Sequence, residues 1–189
     1  MAARDILPVM DPNGGTPVPR WNQMTASEVF EIGEPVAVVN AGTLTEPPDD
    51  ATQFIVTDID GGTEAGIACF GPGAGNINPV TGAAFAALDD IAYWPFGEGT
   101  IYKTSNVFAA GAGSDVAPAQ TDVGEPYQMS YNTTATIGWG FEQTAALSGI
   151  DVQCIVIEVL DADNEPIRIS GAAGTQALFV VPRPTLAAA

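Results

Sequence analysis

Apolar and polar positions alternate most clearly over residues 133–142, TTATIGWGFE. Ala135, Ile137, Trp139 and Phe141 fall on one side of an extended chain; Thr134, Thr136, Gly138, Gly140 and Glu142 fall on the other. A period of two predicts a strand with one buried face. The run IDVQCIVIEVL (150–160) starts with the same alternation, then turns apolar on both sides at Ile155, Val156 and Ile157. Such a strand is expected to be covered on both faces, by a second sheet or by a neighbouring subunit. DADNEP (161–166) supplies turn residues, IRIS (167–170) resumes an extended segment and QALFVV (176–181) gives a further strand.

Upstream, PVAVV, TQFIVTDI, AGIACF, IAYWPF, TIYKTSNVF and PYQMSY read as short strands, with turns at NAG, DGG, GPGAG and GEG. Only VTGAAFAALDD (80–90) has the composition of a short helix, and Gly82 weakens it. Roughly eight to eleven short strands with this turn punctuation predict an all-β fold, a sandwich or a small barrel.

Charge divides the chain. Residues 1–25 hold Arg4 and Arg20 against Asp5 and Asp11 and include PNGGTPVP. Residues 26–189 hold three basic and 21 acidic groups and so carry the whole net charge of −18. This division predicts an extended N-terminal arm over 1–25 and an acidic β-rich body over 26–189. A length of 189 residues fits one domain, and 46% hydrophobic residues supply a core. A charge of −18 repels phosphate backbones and anionic lipid, so neither nucleic acid nor a membrane is an expected partner. Its simplest role is solubility. No apolar stretch has the length of a membrane-spanning helix, and the start of the chain lacks the layout of a signal peptide. Synthesis in a reducing cytoplasm is therefore expected.

The chain contains no histidine. That removes Ser-His and Cys-His nucleophile systems, most catalytic zinc sites and the commonest general base. An enzyme is not expected, and neither is a cofactor. Cys69 and Cys154 lie in apolar runs and match no metal spacing, so both read as buried structural thiols. Lys103, the single lysine, reads as a strand residue in preference to a Schiff-base amine. GPGAGN (71–76) lacks the full dinucleotide fingerprint and reads as a loop. Acidic pairs recur at Asp49/Asp50, Asp58/Asp60, Asp89/Asp90 and Asp161/Asp163/Glu165. Two of them across a cleft would suit a glycosidase, and DIDGGTE (58–64) or DADNE (161–165) would suit calcium, but solvated turns are the preferred reading. Trp94, Phe96, Tyr127, Tyr131, Trp139 and Phe141 read as core or subunit interface before they read as a stacking platform.

One stretch adds a resemblance. FEIGEPVAVVNAGTLTEPPDDATQFIVTDIDGGTEAGIACF (30–70) resembles head decoration (cement) proteins of tailed bacteriophages in its Gly-acid-Pro-Val strand, turn, short GTLTE piece, acidic spacer and GIA strand. GIDVQCIVIEVLDADNEPI (149–167) resembles phage structural proteins more generally. The resemblance implies a small β-barrel or β-tulip. Such proteins commonly form homotrimers, or sometimes dimers, on the outside of a capsid, where they lock the capsomers of the major capsid protein. It implies no catalytic residue. The location it implies is the virion exterior, with assembly in the host cytoplasm. The arm is then expected to contact the capsid through Arg4, Ile6, Leu7, Val9, Val18, Arg20 and Trp21. The main alternative is a phage tail or receptor-binding fibre module that binds glycan.

Overall fold

The computed structural model of the chain describes residues 6–24, 33–38, 44–45, 65–70, 77–97, 99–109, 116–132, 138–143 and 153–182. In chain order the first six strands are β1 (Leu7–Met10), β2 (Arg20–Gln23), β3 (Pro35–Val38), β4 (Leu44–Thr45), β5 (Ala65–Phe70) and β6 (Asp90–Pro95). The other six are β7 (Ile101–Thr104), β8 (Val107–Phe108), β9 (Pro126–Asn132), β10 (Gly138–Glu142), β11 (Gln153–Leu160) and β12 (Gln176–Val180). A single 3-10 turn, Gln120–Asp122, precedes β9. The fold is all-β, in two sheets ordered β1-β7-β12-β11-β9-β10-β8 and β2-β6-β5-β3-β4.

Neither sheet lies flat. β7 and β8 are separated in the chain only by Ser105 and Asn106, yet they stand five strand positions apart in the larger sheet. Three residue steps reach about 11 Å, whereas five flat strand spacings span about 24 Å. The sheet must therefore roll until its β8 edge comes close to β7. Asn106 holds the seam. Its N–H donates to the Thr104 hydroxyl at 2.9 Å and its side-chain amide donates to the Trp139 carbonyl at 3.0 Å. Its carbonyl in turn accepts the Phe141 N–H at 3.2 Å. Gly140 makes this approach possible, because a Cβ there would run into the Asn106 backbone carbonyl.

The smaller sheet behaves similarly. β2 and β4 are its two edges, but an isolated parallel bridge joins Met24, just past β2, to Leu44 in β4. The curl encloses a small core of Met24, Val36, Leu44, Ala68, Ile91 and Tyr93, with Phe85 packed against it. No continuous ladder closes either sheet among the described residues, so the barrel anticipated from sequence is met as two rolls.

The main core lies where the concave face of the larger sheet meets the other face of the smaller one. Ile67 and Ala37 enter it from the smaller sheet; Tyr102, Val107, Met129, Trp139, Phe141, Cys154, Val156 and Phe179 enter from the larger. Rings run across it in sequence: Phe96 to Tyr102 (5.9 Å between centroids), Tyr102 to Phe179 (5.8 Å), Phe179 to Phe141 (6.0 Å) and Phe141 to Tyr127 (5.5 Å). The Tyr102 hydroxyl lies 3.0 Å from the Trp94 carbonyl and 3.1 Å from that of Pro95, which pins β7 to β6 across the sheets. Phe96, Trp139 and Phe141 thus belong to the core and Trp94 and Tyr127 pack against it, as their strand positions suggest; the Tyr131 side chain lies outside the described residues.

Three expectations need correction. TIYKTSNVF is not one strand but two, broken at the seam. Within its own chain β11 is not covered on both faces: a bulge between Val156 and Glu158 turns Ile157 outward, while Ile155 is half-buried. IRIS is not a strand; Pro166 makes one bridge to Leu160 and the chain then turns. The expected strand TQFIVTDI lies outside the described residues.

Gly140→Ala should destabilise the protein by about 1–3 kcal/mol or more, because a methyl has no room at the seam. The denaturant midpoint reads this directly, and a midpoint equal to that of the parent chain would contradict the seam.

Candidate interaction surface

The N-terminal segment is part of the body. Ile6 is fully buried in the main core and Met24 in the small one. Between them, β1 pairs antiparallel with β7, and β2 pairs antiparallel with β6. The expectation of a free arm over 1–25 is therefore overturned for residues 6–24. The proline- and glycine-rich stretch is not a linker but a turn between two edge strands. The Asp11 carboxylate accepts the N–H groups of Asn13 (2.7 Å) and Gly15 (2.9 Å), and Gly14 supplies the left-handed residue at φ +83°. Two apolar residues flanking that turn had cores to enter, and their burial outweighs the freedom of an arm.

The expected contact residues accordingly divide. Ile6 is core and cannot meet a partner. Leu7 is half-buried. Val9, Val18 (76% exposed), Arg20 and Trp21 (57%) face outward, and Met10 joins them. Arg4 lies outside the described residues. Because β6 leads directly into β7, the edges carrying β1 and β2 sit on the same flank of the molecule. Within 6–24, Asp11 and Arg20 cancel, so this flank has no net charge. The two edges differ. β1 contains Pro8 and a bulge before Met10, both of which blunt an edge. β2 is in unbroken register from Arg20↔Tyr93 to Gln23↔Asp90.

A second exposed surface was not legible as such. Residues 77–88, expected in part to be helical, form a looped turn closed by an Ile77–Ala84 bridge. Asn78 organises it. The buried side-chain oxygen of Asn78 accepts the Val80 N–H at 2.9 Å, while its backbone exchanges bonds with Ala83 and Gly82. The Asp89 carboxylate caps the far side by accepting the Ala86 N–H at 2.8 Å. Asn-Pro followed by Gly82 is turn chemistry, and it outweighed the helical preference of the alanines. Ile77, Val80 and Leu88 are exposed, and the twelve residues contain no charge.

Several polar groups among the described residues are tied into the fold. The buried Asp122 carboxylate accepts the N–H of Ala119 (2.7 Å), the hydroxyl of Tyr127 (2.9 Å) and the amide of Gln143 (2.6 Å). Burial first, and then the Asp122 hydrogen bond and charge, push the Tyr127 hydroxyl well above its usual range, so it stays a donor. Asp161 accepts the N–H groups of Asp163 and Glu165, both at 2.9 Å, so DADNE closes on itself as a turn. Lys103 lies on β7 with its amine 3.5 Å from the Asn164 side-chain oxygen. Burial pushes the Cys69 thiol up to about 11 and the fully buried Cys154 thiol higher still. Both are free thiols. Among the described residues no cluster of three or more acidic or cysteine side chains converges as a metal site. GPGAGN and DIDGGTE lie outside the described residues.

No protein-family model matches the chain, and no curated protein or solved structure matches it either.

Removing residues 1–20 should not leave an intact body. It deletes β1 and takes Ile6 out of the core, so Ile6→Ala alone should cost about 2–5 kcal/mol. An unchanged thermal midpoint in the truncated chain would contradict this placement. The Asp89 carboxyl is held below its ordinary range, first by the Ala86 N–H and then by the Asn78 amide. A lowered value stabilises the loop above the ordinary carboxylate range, and that stability is lost as pH falls through the lowered value. Amide exchange at Ala86 should accordingly speed up, relative to its intrinsic rate, only on acidification and not between neutral and mildly acidic pH.

Proposed function

We propose that the chain is a decoration (cement) protein of a viral capsid. It attaches to the outer surface of the lattice built by a major capsid protein and holds neighbouring capsomers together. The observation that carries this reading is the N-terminal flank: Val9, Met10 and Trp21 are exposed on strands paired into the body, and Val18 is exposed on the connection between them. A protein that works by attachment needs apolar anchors held in place, and an exposed tryptophan is the commonest kind of anchor. The flank lacks the acidic excess of the rest of the chain, so it can approach a surface that the remainder would repel.

Two further observations support it. The segments that carry the resemblance to decoration proteins, PVAV, LT and AGIACF, lie side by side as β3, β4 and β5, with β3 pairing to both neighbours. The chain also lacks histidine and has one lysine, which suits a function of shape over one of bond-making. Attachment differs from an arm-exchange mechanism. The flank is presented ready-made, so binding costs little ordering entropy. The regular β2 edge is the place where an extended capsid segment adds by main-chain hydrogen bonds. Repetition over many lattice sites then converts modest contacts into durable attachment.

The test is co-sedimentation of the purified chain with empty capsids assembled from the major capsid protein of the same virus. Binding should be saturable, and Trp21→Ala should weaken it by about tenfold or more while leaving the melting temperature unchanged, since Trp21 is largely exposed. Failure of the parent chain to bind capsids, or equal binding by the Trp21 variant, would sink the reading. Binding to glycan in place of capsids would favour a receptor-binding fibre module.

A further inference from the structure

We infer that Asn13 is a site of covalent self-modification: the Gly14 backbone nitrogen expels its side-chain amide as ammonia and leaves aspartate or isoaspartate in the turn between β1 and β2. The inference stands apart from the capsid reading.

The step is intramolecular. The Gly14 nitrogen gives up its proton to base and attacks the Asn13 Cγ. An N–Cγ bond forms, the Cγ–Nδ2 bond breaks, and the amide nitrogen leaves as ammonia with a proton from solvent. The succinimide ring that remains adds one water. Opening at one carbonyl gives aspartate; opening at the other gives isoaspartate, whose main chain runs through the former side chain. The sum is asparagine plus water going to aspartate or isoaspartate plus ammonia, with nothing oxidised or reduced.

Three observations carry the assignment. The first is the following residue. A side chain there obstructs ring closure, and glycine has none. Asn13 is the only asparagine in the chain that precedes a glycine; Asn22, Asn78, Asn106 and Asn164 precede Gln23, Pro79, Val107 and Glu165. The second is access. Asn13 and Gly14 are both exposed, whereas Asn78 and Asn106 are buried. The third is how the turn is held. The attacking Gly14 N–H donates to the Asp11 carbonyl at 3.0 Å, and the Asp11 N–H donates to the Gly15 carbonyl at 3.0 Å. The Asp11 carboxylate accepts the Asn13 and Gly15 N–H groups. Every one of these bonds runs to or from Asp11, so Asp11 is the brake on the reaction. The nitrogen is engaged while the turn is closed and free to attack when it opens. Opening is a local event, because the turn projects between two edge strands and the β1 side is already interrupted by Pro8 and a bulge.

The product changes the flank. Residues 6–24 hold Asp11 and Arg20 as their only charges, so conversion of Asn13 takes this segment from 0 to −1. Isoaspartate also lengthens the main chain of the turn by a methylene, which displaces the N–H groups that Asp11 holds. Converted chains therefore carry an acid where the flank was neutral and hold β1 less firmly against β7.

The experiment is mass spectrometry of the full chain kept at physiological temperature over a series from mildly acidic to mildly alkaline pH. Tryptic cleavage after Arg4 and Arg20 isolates residues 5–20, in which Asn13 is the only amide side chain. That peptide should gain about 1 Da, separate chromatographically into aspartate and isoaspartate forms, and do so faster as pH rises. Asn13→Gln should abolish the gain. Asp11→Ala should speed conversion by about fivefold, as expected for losing a hydrogen bond that keeps the turn closed. Conversion at the other asparagines should stay unchanged in that variant, which separates opening of the turn from loss of the fold. The converted chain, resolved from the parent by its extra charge, should show faster amide exchange in β1 and unchanged exchange in β12. A 5–20 peptide that keeps its mass under conditions where the same peptide free in solution converts would overturn the proposal. So would equally fast conversion at the other asparagines, or a rate indifferent to pH or to Asp11→Ala.

Discussion

The fold depends on a short connection. β7 passes into β8 through two residues, although these strands lie far apart in sheet order, so the seven-stranded sheet must roll. Asn106 sits in that connection and is bonded to Thr104, Trp139 and Phe141. Rolling gives the sheet a concave face, and the concave face is what lets a row of rings from Phe96 to Tyr127 share one core. A flat sheet of these strands would leave some of that surface uncovered. The smaller sheet meets the same requirement by curling until Met24 reaches Leu44.

The N-terminal segment then has a defined place. It lays one strand on each sheet and sends one apolar residue into each core, Ile6 into the first and Met24 into the second. Val9, Met10, Val18 and Trp21 are left outside both cores. The exposed flank is thus a consequence of how the segment is tied down. The charge distribution leaves that flank and the loop 77–88 neutral while acid accumulates over the rest of the sequence. An apolar attachment surface on an otherwise acidic molecule is the physical basis of the functional proposal.

Much of this was legible in the sequence, for reasons that differ by element. AGIACF, PYQMSY, QALFVV and PVAVV announced β5, β9, β12 and β3: QALFVV shows the period-two burial of a one-sided strand, and the others are short apolar runs bounded by turn residues and buried on both faces. The aromatic positions of β6, β9 and β10 were read as core or subunit interface because large rings on strands are usually buried. The seam was not legible, since TIYKTSNVF looks continuous and only the pairing partners show that it breaks at Asn106. The arm was misread because PNGGTPVP has the composition of a linker, whereas its Asp11 and Gly14 form a turn. At 77–88 the alanines suggested a helix, and the better signal was Asn78-Pro79 with Gly82, in a run free of charge. Which exposed residues matter for attachment follows from strand pairing, a long-range property that local composition does not encode.

Electron cryo-microscopy of the native particle tests attachment through a fixed flank most directly. The chain should appear on the outer face of the lattice with β2 and Trp21 turned towards the capsid protein. A particle that lacks the chain, or one on which the Trp21 flank faces open solvent, would contradict it.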